Sequence, residues 1–163
     1  EDFRLDTIPG LHNPMGKMSG ATVNKKVSEI NFGVSMGELD KLGALCNINY
    51  MFTLPSKFKI GFAAGVEIAN LAEAWRVNGP DLLLHQRMVF TEASEFADEI
   101  QALGGMIAMP IHHECSFPHN ADMYAFTNEV NNILAERGCV TKVLNPKRMQ
   151  WYRLSMGLFA VNH

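Results

Sequence analysis

The sequence predicts an α+β fold, a two-layer sandwich with a mixed, mostly antiparallel sheet of about six strands and about four helices. Segments in which apolar and polar residues alternate, such as Tyr50, Phe52, Leu54 and then Phe58, Ile60, Phe62, interleave with segments of helical period. The two alternating runs are joined directly by Leu54-Pro55-Ser56-Lys57, a turn so short that the strands must run antiparallel. With 47% hydrophobic and 19% charged residues, a chain of 163 residues can bury a full core without disulfide staples.

Residues 1–20 hold two prolines and three glycines and keep no period, so they read as an irregular N-terminal arm before a single domain over 21–163. The piece from Gly10 to Ser19 invites comparison with a phosphate-cradling loop. It has five residues between its glycines, Met18 where the hydroxyl belongs and no strand before it, so a flexible arm is the better reading. Ile30, Phe32 and Val34 alternate as a half-buried strand. Ser35 with Glu38 then forms a capping box for a helix over about 36–46. After the hairpin over 48–62, Ile68, Leu71, Ala72 and Trp75 line one face of a helix that Asn78-Gly79-Pro80 ends.

Leu82–Phe90 reads as a strand in which apolar residues bracket His85, Gln86 and Arg87. Thr91 is placed to cap a helix over 92–103, with Phe96, Ile100 and Leu103 inward and Glu92, Glu95, Asp98 and Glu99 outward as a solvated face. Gly104-Gly105 stops it, and a short strand follows at 106–111. His119 or Asn120 caps a long helix to Arg137 that buries Met123, Phe126, Val130, Ile133 and Leu134, with Gly138 closing its C-terminus. Val140–Leu144 and the alternating Tyr152, Leu154, Met156 and Leu158 complete the strands.

A net charge of −3 argues against a general nucleic-acid binder, which carries a basic stripe. No uncharged apolar run reaches the roughly 18–20 residues of a membrane span. Cys46, Cys115 and Cys139 are too few and too scattered for a disulfide framework, so a reducing, cytoplasmic setting is expected. Ten methionines and long apolar-edged strands suggest a homo-oligomer, a dimer or trimer.

Chemistry concentrates between Met109 and Asp122, where three of the six histidines, one cysteine and two carboxylates fall between a strand and a helix start. The carboxyl end of a strand facing a helix N-terminus gathers loop side chains and free backbone amides, a common place for ligands. If residues 111–115 are extended, His112 and Glu114 project to one side, and His113 and Cys115 to the other. His112 or His113 with Glu114 makes an acid–base pair, worth about 10²–10⁴ in rate when well placed. His112, Glu114 and His119 equally suit a divalent metal such as Zn²⁺, with Asp122 as ligand or support. Their spacing matches no familiar metal signature. Lys147, Arg148 and Arg153, near Trp151 and Tyr152, offer a second place for an anionic ligand.

The reading is therefore a small soluble enzyme, a lyase, isomerase or hydrolase, working on a polar or anionic metabolite. Its rivals are a ligand-binding sensor and a structural subunit, such as a virion component, whose His-rich loop is an interface.

Overall fold

The elements follow the chain as β1 (Arg4–His12), β2 (Leu45–Thr53), β3 (Lys59–Ala63), α1 (Ile68–Trp75), β4 (Leu82–Gln86), α2 (Ala93–Leu103), β5 (Ile107–Ile111), α3 (Met123–Glu136) and β6 (Lys142–Val143). They come from a computed structural model, which describes residues 2–12, 45–64, 68–87, 91–111, 123–146 and 150–153. The six strands form one mixed sheet in the order β1-β2-β3-β4-β5-β6. Three helices, among the described residues, accompany it. The expected α+β class with a mixed six-stranded sheet is observed.

The expectation that the sheet is mostly antiparallel is corrected. β1, β2 and β3 pair antiparallel, but β3/β4, β4/β5 and β5/β6 are all parallel. A helix separates each strand from the next over this half of the chain, and such a crossover returns the strand in the same direction. The irregular arm is corrected over residues 4–12, and residues 13–20 of it lie outside the described residues. Arg4–His12 is an edge strand paired with β2 from Arg4↔Thr53 to His12↔Leu45. An edge strand tolerates Pro9 and Gly10 because one side of its backbone needs no partner. Leu45 and Cys46 belong to β2, so the helix expected over 36–46 cannot include them; its remainder and the strand at 30–34 lie outside the described residues.

The hairpin turns as expected. Lys57 N–H donates to Leu54 O at 2.8 Å and Leu54 N–H to Phe58 O at 2.8 Å, with Lys57 itself at φ 69°. α2 starts one residue later than expected, with Glu92 in the capping position but no side-chain cap bond; the carboxylate still suits the positive end of the helix. α3 closes on Gly138 at φ 70°, with Gly138 N–H on Ala135 O at 3.0 Å and Cys139 N–H on Leu134 O at 2.8 Å. This left-handed stop satisfies two carbonyls that the helix leaves unpaired.

Strand alternation sorts the sheet into two faces. Gly61, Ala63, Leu83, His85, Ala108, Pro110 and Val143 are buried. The core set against them comes from Leu71 and Trp75 of α1, Phe96, Ala97, Ile100 and Leu103 of α2, and Phe126, Val130 and Leu134 of α3. α2 packs between α1 and α3. Contact is close: a Cβ added to Gly61 would sit 2.9 Å from Pro80 Cβ and 3.0 Å from Trp75 Cη2.

The opposite face carries Tyr50, Phe52, Ile60, Phe62, Leu82, Leu84, Ile107 and Met109, all half-buried. The rings of Tyr50 and Phe62, and of Tyr50 and Phe52, lie 6.2 Å apart there.

β6 keeps its outer edge closed. Lys142 N–H bonds back to Met106 O, just before β5, and Leu144 N–H to Ala108 O of β5, while the Val143 backbone faces outward to the Asn131 side chain, which accepts from Val143 N–H at 2.9 Å and donates to Val143 O at 2.8 Å. The amide thus stands in for a seventh strand. No helix of the described residues is long and apolar enough to cross a membrane.

Candidate functional site

The parallel strands β3, β4 and β5 end at Ala63, Gln86 and Ile111, and each leads on to the start of a helix, at Ile68, Ala93 and Met123. Strand ends and helix N-termini therefore collect at one end of the sheet, where backbone amides and loop side chains converge. Strand order runs from β3 to β6 without reversal. The crevice that a reversal opens in doubly wound sheets is thus not formed by these four strands, and loops must build any pocket.

Four buried polar side chains mark this end. Asn49 is 1% exposed, and its Oδ1 accepts from Ala64 N–H at 3.0 Å. His85, also 1% exposed, sets Nδ1 3.3 Å from Ala63 O and Nε2 2.8 Å from Glu99 Oε2. Asn49 and His85 thus hold the chain where it leaves β3. The carboxylate of α2 fixes the imidazole from one side, and the Phe96 ring stacks on it at 5.3 Å. Glu99 was expected in solvent with the other acids of α2. It instead faces β4, because residue 99 lies one turn from the inward Phe96 and reaches the strand beneath.

Arg87 follows two residues after His85 and faces the same helix layer. Its N–H donates to Ile111 O at 2.9 Å, carrying the β4/β5 pairing one step beyond the strand. The guanidinium carbon lies 4.1 Å above the Phe126 ring, Nη1 is 3.5 Å from Met123 Sδ, and Nε is buried with no hydrogen-bond partner among the described residues. Burial pushes the Arg87 pKa below its ordinary value, and the charge of Glu92 partly opposes that. Phe126 also meets Phe96 at 5.5 Å, so His85, Phe96, Phe126 and Arg87 form a continuous row under the helices. The fourth polar group, Thr127, turns back on its own helix and bonds Met123 O at 2.8 Å.

The chain matches no family model, and no curated protein matches it.

His112, His113, Glu114, Cys115, His119 and Asp122 lie outside the described residues, as do Lys147 and Arg148. The flanks of the first group are described: Ile111 closes β5 opposite Gln86, and Met123 opens α3. Arg153 is exposed in irregular chain beside Trp151, which is 98% exposed. Tyr152, expected to open a final strand, shares that irregular chain, and the strand's continuation lies outside the described residues. No cluster of three His, Cys, Asp or Glu suited to a metal occurs among the described residues, and the expected ligands His112, Glu114 and His119 are not among them.

Sequence reasoning passed over Asn49, His85, Arg87 and Glu99 as candidates. For His85 and Arg87 a signal existed: with Leu83 they occupy alternate positions of an apolar strand, so burying Leu83 buries both polar groups. At the other end of the sheet an open groove of about 660 Å³ runs past Leu54, Phe58, Ile60 and Leu82. Ser56 and Lys57 also line it, and Asp81 there is already engaged, with Oδ2 accepting from Lys59 N–H at 2.7 Å.

Proposed function

We propose that the chain binds and acts on a small polar or anionic metabolite at the C-terminal ends of β4 and β5. In this reading the stretch from Met109 to Asp122 supplies His112, His113, Glu114 and His119 as acid–base groups or as ligands of a divalent metal. One observation supports it above the others: β5 ends at Ile111 and α3 begins at Met123, so the stretch spans a parallel strand end and a helix N-terminus. Neighbouring that end are a buried histidine paired with a half-buried glutamate, and a buried arginine, groups that a purely structural core seldom keeps.

The test combines metal analysis of the purified protein with a thermal-shift screen against common metabolites and nucleotides. A ligand that stabilises the protein should lose its effect in His112→Ala and Glu114→Ala, while the unliganded variants melt as the parent does. The reading fails if both variants unfold, or if both respond as the parent does.

A second reading, an assembly subunit, draws on the apolar sheet face. Phe3, Leu5 and Ile48 are 60%, 45% and 43% exposed beside the half-buried Tyr50, Phe52 and Phe62. A contiguous apolar face of this kind suits a homo-oligomer contact, in a dimer or trimer. Light scattering that returns the 18.1 kDa of one chain at micromolar concentration would overturn it.

A further inference from the structure

We infer that Arg87 is the receptor for an anionic group, a carboxylate or a phosphate, on the molecule bound at the strand ends; this rests on the small-molecule reading above. Among the described residues, Arg4, Arg76, Arg137 and Arg153 lie nearer the surface, and the first three pair with a carboxylate, Asp6, Glu73 and Asp98 respectively. Arg87 reverses both properties. It is 6% exposed, and among the described residues no carboxylate stands within ion-pair reach. Its named contacts are a thioether sulfur, which is a weak acceptor, and the face of a ring. Nε is buried and has no hydrogen-bond partner among the described residues. An arginine stays charged even when buried, so the unmet demand is for negative charge.

The surroundings increase that demand. Met123 and Phe126, which touch the guanidinium, belong to the first turn of the 14-residue α3. A helix N-terminus carries partial positive charge, so it repels Arg87 and attracts anions. The exposed Glu92 acts on Arg87 only through space. One anion between the guanidinium and the first turn answers both positive groups. Phe126 lies under the guanidinium carbon at 4.1 Å, and a guanidinium fork takes carboxylate or phosphate through paired N–H bonds. Lysine, a point charge on a flexible stem, lacks both the fork and the stacking plane.

The experiment titrates the full chain with inorganic phosphate and, separately, with succinate, against sodium chloride at matched ionic strength. Melting temperature and the arginine Nε–H signals are followed together. The Arg87 signal is the one absent from Arg87→Lys. One probe should raise the melting temperature saturably and move that signal beyond the chloride control; Arg87→Met should lose the response and Arg87→Lys should bind several-fold more weakly. Response to phosphate alone assigns a phosphoryl group, and to succinate alone a carboxylate. If Arg87→Met does not fold, the signal in the unaltered chain decides. The inference is overturned if neither probe moves that signal beyond chloride, or if stabilisation survives undiminished in Arg87→Met. It is separable from the reading it rests on. A metabolite whose binding His112→Ala and Glu114→Ala abolish but Arg87→Met keeps would retain the site and refute this assignment. The converse pattern would retain the receptor and refute the acid–base role.

Discussion

Replacing Asn131 with alanine removes the group that closes the outer edge of β6. The side chain makes two bonds, 2.9 Å from Val143 N and 2.8 Å to Val143 O, and Val143 is 2% exposed. Each buried backbone group left without a partner costs about 1–3 kcal/mol. Water reaching the opened edge recovers part of this, so Asn131→Ala should cost roughly 2–3 kcal/mol in all. For a chain of this size that lowers the melting temperature by about 4–12 °C. Asn131→Asp keeps the acceptor for Val143 N–H but sets a carboxylate oxygen against Val143 O, so it should destabilise nearly as much. Urea denaturation gives the free energy, and native-state hydrogen exchange shows whether Val143 has lost protection. A cost below about 0.5 kcal/mol, with the Val143 amide still protected, would refute the edge-closing role.

Glu99→Ala should cost about 1–3 kcal/mol because it strands the buried Nε2 of His85. Glu95→Ala, on the solvent side of the same helix, should stay within about 0.5 kcal/mol; equal effects in urea melts would deny the pair its special place. Gly61→Ala should cost about 1–3 kcal/mol, since the new Cβ would meet Pro80 at 2.9 Å and Trp75 at 3.0 Å. A neutral result there would mean that the helix layer shifts freely over the sheet. Lys57→Gly should add about 0.5–1 kcal/mol by relieving a side chain held at φ 69° in the hairpin turn. A lower melting temperature would contradict that.

What the sequence determined by itself is what depends on near neighbours. Pro55 and the alternation on either side of it were enough for the hairpin. Leu71 with Trp75, Phe96 with Ile100 and Leu103, and Phe126 with Val130 and Leu134 were enough for three helices and their buried faces. Such periods are set by residues within one or two turns of each other, so they need no knowledge of the partner. The position of the Met109–Asp122 stretch after one element and before another was legible for the same reason.

The tertiary structure alone decided the rest. Arg4–His12 has no strand signal strong enough to outweigh Pro9 and Gly10 until β2 lies alongside it. The direction of β3 to β6 depends on crossovers that no local pattern records. Glu99 looks like its acidic neighbours until His85, 14 residues away, is placed beneath it, and Arg87 becomes a buried cation because Met123, 36 residues away, closes over it. Burial of a polar group is a property of what packs against it, and those contacts come from distant chain brought together by the sheet.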